Sequence, residues 1–232
     1  MDKIILIDKQ KDWTSFDVVA KVRSQVRSYS QDQTAEGEKP KKIKVGHAGT
    51  LDPLATGLLI VLVGAATKRQ DSYMKQDKIY EVEATLGKTS TTGDEEGEKT
   101  EISDVQPTHE IVTEALQSFV GNISQIPPIF SAIKVDGQRA YKLARAGKPV
   151  KMKSRSVTIY SIDKITYNYP LVTFTVKVSS GTYIRTLVAD IGDRLSTGAY
   201  MSNLRRTQIG SASIDEAVPI DDISKILSTS VE

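Results

Sequence analysis

The chain has 232 residues, of which 39% are hydrophobic and 26% charged. That balance excludes a disordered chain and allows a core that buries roughly 70% of the unfolded surface. The absence of cysteine excludes disulfides, thiolate metal sites and cysteine nucleophiles. The net charge of +2 conceals a division: +4 over residues 1–70, −8 over 71–130, +10 over 131–210 and −4 over 211–232.

Residues 3–8 form a short β-type run, and charge arrives too early in the N-terminus for a secretory signal peptide. Thr14 and Ser15 then precede a stretch over 16–26 whose apolar residues fall at helical spacing, so a capped helix is expected there. Residues 28–42 are polar, carry Gly37 and Pro40 and lack apolar periodicity, which predicts a mobile loop. The continuous apolar run over 58–63, closed by Gly64, predicts a strand covered on both faces.

Residues 80–86 and 171–178 alternate as half-buried strands do, and 89–97 reads as a polar turn. Helices are expected over 109–120, 141–146 and 185–195. Strands and helices mix without a βαβ rhythm, no internal repeat is visible, and no apolar run approaches the ~18 residues of a membrane span. The fold class expected is α+β with a largely antiparallel sheet, in a chain that is soluble and cytoplasmic.

Cations concentrate in Lys134, Arg139, Lys142, Arg145, Lys148, Lys151, Lys153 and Arg155, opposed there only by Asp136. Such a stretch fits a solvated helix face and basic turn, or a surface that attracts a polyanion.

The densest stretch for chemistry is Val45-Gly-His-Ala-Gly-Thr-Leu-Asp-Pro-Leu-Ala-Thr-Gly57. Pro53 restricts Asp52 to an extended conformation and is itself suited to the first position of a helix. Asp52 therefore reads either as a helix N-cap or as a carboxylate presented to a ligand among small residues, with His47 nearby. The dipeptide leaves both open.

The segment from Gly46 to Gly57 resembles the signature of the bacterial tRNA pseudouridine-55 synthases, the TruB family. The resemblance continues at Lys78-Ile-Tyr80, at 89–97, at Gln125-Ile-Pro-Pro-Ile-Phe-Ser-Ala-Ile-Lys134, at Gly181-Thr-Tyr-Ile-Arg185 and at Leu204-Arg-Arg206. It implies the pseudouridine synthase fold, a mixed and largely antiparallel sheet flanked by helices and loops with a central RNA-binding cleft. It also implies isomerisation of uridine 55 in the T-loop of tRNA, after flipping of the base.

By the same resemblance Asp52 is the nucleophile, Tyr80 stacks on the target base and Arg185 pairs with Asp52. His47 supports the RNA conformation from which the base is extruded, and Tyr183 and Leu204 line the substrate pocket. The partner implied is the T-arm of tRNA, bound by a monomer. No cofactor or metal is implied, because the reaction detaches uracil and rejoins it through carbon without redox chemistry. Charge alone further suggests Arg205 and Arg206 as phosphate contacts.

These residue types suit the task. Flipping a base out of a folded RNA costs on the order of a few kcal/mol, offset in part by stacking on an aromatic side chain. An aspartate with a pKa near ~3.9 is already ionised, and a guanidinium beside it keeps it so when water is excluded. A non-catalytic RNA-folding protein is the rival from another class, and intact Asp52, Tyr80 and Arg185 argue against it. A glycosidase would need a second carboxylate flanking the bond, and no convincing one is evident.

Two departures stand out. In Asp8-Lys-Gln-Lys-Asp-Trp-Thr-Ser15 the family pattern has Pro and Gly where this chain has Gln10 and Asp12, which puts the turn geometry in question. Only about two dozen residues follow Arg206, too few for the C-terminal PUA-type domain usual in the family. Residues 1–232 are accordingly expected to form a single catalytic domain without it.

Overall fold

The apolar run at the centre of the sequence becomes a strand, Thr56–Val63, in which every residue after Thr56 is buried. Leu59, Val61 and Val63 face one side, where they pack with Ile5, Ile7, Val18, Val22 and Val26. Leu58, Ile60 and Leu62 face the other, against Ala48 and Ile209. The two-residue period of a strand thus splits one run between two cores.

The computed structural model describes residues 1–34, 42–131, 133–135 and 137–224; Asp136 and the 35–41 part of the expected loop lie outside them. In chain order the elements begin with β1 (Lys3–Lys9), α1 (Ser15–Asp32), β2 (Val45–His47), β3 (Thr56–Val63), α2 (Gln70–Met74) and β4 (Lys78–Leu86). There follow β5 (Lys88–Ser90), β6 (Lys99–Glu101), α3 (His109–Gln117), β7 (Gly121–Gln125), β8 (Lys134–Val135), β9 (Gln138–Arg139) and α4 (Ala140–Arg145). The chain continues through β10 (Arg155–Asn168), β11 (Leu171–Val178), α5 (Ile184–Arg194), β12 (Ala199–Ile209), β13 (Ala212–Ser213) and β14 (Val218–Pro219).

These elements form two compact units, Met1–Ile79 with Arg205–Glu232, and Tyr80–Leu204. In the first, the hydrogen-bonded strand order is β14-β1-β3-β12, with β2 beside β3 and β13 beside β12. The β1/β14 and β3/β12 pairs are parallel, and the rest of that unit's pairs are antiparallel. In the second the order is β12-β4-β11-β10-β7, and β10 pairs antiparallel with both neighbours. The architecture is α+β, mixed and mostly antiparallel, as expected.

Helix α1 starts where the sequence places it. Thr14 accepts from the Asp17 amide, while the Asp17 carboxylate accepts from the Thr14 amide at 2.9 Å, a capping box. Its end was misread: residues 28–32, expected as loop, are helical. Tyr29, one turn beyond Val26, still packs against the core, and that contact carries the helix past the point where polar residues take over the sequence.

The polar turn at 89–97 opens with β5, paired to β6. Strand β10 escaped the sequence reading because two irregularities of register, between Ile159 and Ser161 and between Asp163 and Thr166, interrupt its alternation.

Because β3 is enclosed on both faces, truncating it is expected to be costly. Ile60→Ala should lower stability by about 2 to 5 kcal/mol and Ile60→Val by about 0.5 to 1.5, measured by urea unfolding. Equal losses for the two would contradict this packing.

Candidate active site

The loop that carries Asp52 links β2 to β3. No helix follows Pro53, so the cap reading of the Asp-Pro dipeptide does not hold. The Asp52 carbonyl instead accepts from the Ala55 amide at 3.1 Å, closing a single turn, and the residue is half-buried.

What fixes the loop is a set of side chains gripping its backbone. Ser15, 3% exposed, donates to the Leu51 carbonyl at 3.0 Å and accepts from the Leu51 amide at 2.8 Å. Arg206 donates Nε to Leu58 O at 2.8 Å, Nη1 to Thr50 O at 3.3 Å and Nη2 to Gly49 O at 3.1 Å. Lys9, wholly buried, donates Nζ to Trp13 O at 2.7 Å, Gln10 O at 3.0 Å and Pro53 O at 3.1 Å. Residues on both sides of Asp52 are thereby held, which fixes the backbone that carries its carboxylate.

Two details make this grip feasible. Gly57 pairs with Arg206 across the parallel β3/β12 ladder, and a Cβ there would lie 2.3 Å from the Arg206 carbonyl oxygen, so only glycine lets the strands meet. Asp12 stands in the left-handed region at φ 67°, the conformation that a glycine in its place would adopt with less strain. It donates its amide to Pro53 O at 2.9 Å, so the turn is formed despite the departure from the family pattern.

Arg206 was expected to meet phosphate, and this is corrected: at 1% exposure it is an internal brace and presents nothing to a ligand. Arg205 forms a bidentate pair with Asp8, at 3.0 and 2.8 Å. His47, at the end of β2, is held below its ordinary pKa first by burial and then by the Arg206 charge, which favours the neutral imidazole.

The remaining candidates belong to the second unit. Tyr80 and Leu204 are each 8% exposed and Tyr183 is half-buried. Tyr80 shares with Val82 the buried face of β4. The backbone of Tyr183 is held by Gln125, whose amide group donates to Tyr183 O at 3.0 Å and accepts from its N–H at 2.8 Å. The Arg155 guanidinium lies 4.8 Å from the centroid of the Tyr183 ring, a cation–π contact.

Arg185, 7% exposed, donates to Thr92 O at 3.1 Å and Phe130 O at 2.9 Å, and its Nη1 lies 3.4 Å from the Asp94 carboxylate. Asp94 in turn accepts from the Thr92 hydroxyl and, at 3.2 Å, from the Glu96 amide. The sequence reading missed Asp94. Its signal was a carboxylate inside a turn rich in Thr and Gly, where a buried acid requires a cation.

Chains of similar fold include the Cbf5-Nop10-Gar1 complex, at a TM-score of 0.71 and 27% identity over 96% of this chain. Another is an H/ACA RNP bound to a substrate RNA containing 2′-deoxyuridine, at a TM-score of 0.66 and 26% identity. The chain spans about half the length of each, 53% and 52%. A sequence model described as TruB family pseudouridylate synthase (N terminal domain) matches residues 37–184. The fold is thus that of a pseudouridine synthase, an isomerase of uridine to pseudouridine.

Within that class the chain belongs to the TruB family. A second model, tRNA pseudouridylate synthase B C-terminal domain, matches residues 185–231. Among relatives, tRNA pseudouridine synthase B of Parabacteroides distasonis is 44% identical over 99% of this chain and 94% of its own length. The same-named protein of Clostridium kluyveri is 42% identical over 95% of this chain and 72% of its own.

Burial lowers the Lys9 pKa to about 8, against smaller upward pulls from Asp52 and Asp12. Between pH 8 and the ordinary lysine range the unfolded chain therefore binds more protons than the folded one, and Lys9 makes folding more favourable as pH rises. From pH 8 to about 10.5 the wild type should gain on Lys9→Met by up to about 3 kcal/mol, measured by urea unfolding across that range. A difference that stays flat would contradict it.

Proposed function

We propose that this enzyme acts on tRNA and converts uridine 55 of the T-loop to pseudouridine, with flipping of the base and Asp52 as nucleophile. The observation that carries the proposal is the bracing of Asp52 from both sides by Ser15, Arg206 and Lys9. The names of its relatives, tRNA pseudouridine synthase B, support the choice of substrate.

In this reading Tyr80 stacks on the flipped base, Leu204 and Tyr183 line its pocket, and His47 supports the RNA strand. Arg185 pairs with Asp52 and keeps it ionised as water leaves, and Asp94 orients Arg185. The Asp52 carboxylate bonds to the uridine, the N1–C1′ bond breaks, the uracil rotates, C5 bonds to C1′, and the bond to Asp52 is broken again so that the carboxylate is regenerated. The proton on C5 is lost and N1 gains one, so the change is an isomerisation.

Exposed Lys134, Arg139, Lys142, Arg145, Lys148, Lys151 and Lys153 supply an RNA-facing surface in the second unit. Affinity resting on them would fall steeply with salt. No helix among the described residues is long and apolar enough to cross a membrane, and we place the enzyme in the cytoplasm as a monomer.

The test uses unmodified tRNA carrying tritium at uracil C5. Wild type should release tritium at one site per tRNA, Asp52→Asn should release none, and a uridine-to-cytidine change at tRNA position 55 should abolish release. Arg185→Lys should lower kcat at least tenfold with tRNA affinity within about threefold, because a lysine cannot reproduce the planar donor set. Release by Asp52→Asn at the wild-type rate, or full release from tRNA lacking uridine 55, would contradict the proposal.

A further inference from the structure

The first unit contains a cleft of about 760 Å³ that the catalytic reading leaves unused. Its lining includes Arg23 and Arg27 from α1 and Lys42 and Lys44 from the segment that leads into β2, and no carboxylate is among the lining residues. Arg23 and Arg27, four residues apart, lie on one face of the helix, and all four cations are exposed. The floor is apolar, with Val26, Ile43 and Val45.

The positions of these groups are set by the fold. Val26 belongs to the core beneath α1, and Arg23 Nη2 lies 3.4 Å from the Val45 carbonyl oxygen, joining helix to strand. Gly46 also lines the cleft, and a Cβ added there would meet nothing within 4 Å. Gly46 directly precedes His47, and a strand rises ~3.3 Å per residue, so Lys44 lies about 10 Å along the chain from His47.

We propose that this cleft binds an unpaired nucleotide of the substrate RNA, remote from the reacting base. Like charges gathered round one cavity repel, and a phosphodiester relieves that repulsion. An apolar floor suits the face of a base, and the size suits a nucleotide but does not admit a duplex. The inference rests on the reading that the enzyme acts on tRNA and adds a second RNA contact, in the first unit.

The experiment measures tRNA affinity by filter binding across a range of salt for wild type, for Arg27→Glu with Lys42→Glu, and for the charge-preserving Arg27→Lys with Lys42→Arg. The charge-reversed protein should bind at least tenfold more weakly at ~0.1 M salt. Its plot of log affinity against log salt should be shallower by roughly 1.4 to 1.8, and kcat at saturating tRNA should stay within twofold. The charge-preserving variant should match wild type. Single Arg27→Gln and Lys42→Gln variants should each lower the slope by about 0.7 to 0.9, which keeps the test valid if the double variant is unstable.

Wild-type affinity and slope in all variants would overturn the inference. So would uridine 5′-monophosphate binding that the substitutions abolish while tRNA affinity is untouched, because the cleft would then serve a free nucleotide. If the wild type makes no pseudouridine yet these substitutions weaken tRNA binding as stated, the catalytic proposal fails and the cleft assignment stands.

Discussion

The buried guanidinium of Arg206 is the interaction on which the geometry of the loop carrying Asp52 depends. Taking a cation out of water costs several kcal/mol unless its donors are met. Here they are met by the carbonyls of Gly49, Thr50 and Leu58. The Gly49 and Thr50 carbonyls lie in a loop with no regular secondary structure and would otherwise want for partners, while the Leu58 carbonyl belongs to β3. Arginine and loop therefore stabilise each other, and Lys9 repeats the device at Pro53. A short, glycine-containing loop acquires the rigidity of a strand while its aspartate remains half-open to a ligand.

The second unit uses the same chemistry for a different purpose. Arg185 braces two carbonyls, at Thr92 and Phe130, and also meets the Asp94 carboxylate. A guanidinium held in this way keeps its planar donor array in a fixed orientation. Gln125 fixes the backbone of Tyr183 and Arg155 covers its ring. In both units the candidate groups are oriented by side chains that take hold of backbone, which is how a site built on loops keeps its geometry.

How much of this could be read from the sequence follows from the range of the forces involved. The run in β3 and the Thr14 cap were legible because strand burial and capping act over a few neighbouring residues. The full length of α1 was not, since Tyr29 extends the helix through a tertiary contact. Strand β10 was hidden by its irregular register, and β12 by a buried arginine inside a strand, where cations ordinarily signal solvent. Asp52 stands out through the motif around it, while the cap reading suggested by Pro53 failed because the loop's partners lie far away in the chain. Arg206 was noticed as a charge and misassigned to phosphate for the same reason: its partners are about 150 residues distant, which no local pattern reveals.

The Arg206 brace sets the position of the loop that carries Asp52. The most direct measurement is amide hydrogen exchange together with single-turnover isomerisation in Arg206→Met. The Leu51 and Ala55 amides, bonded to Ser15 and Asp52, should exchange at least tenfold faster while the β1/β3 amides remain protected. Isomerisation should fall about 100-fold with tRNA affinity within about twofold. A variant whose loop amides exchange faster but which turns over at the wild-type rate would contradict it.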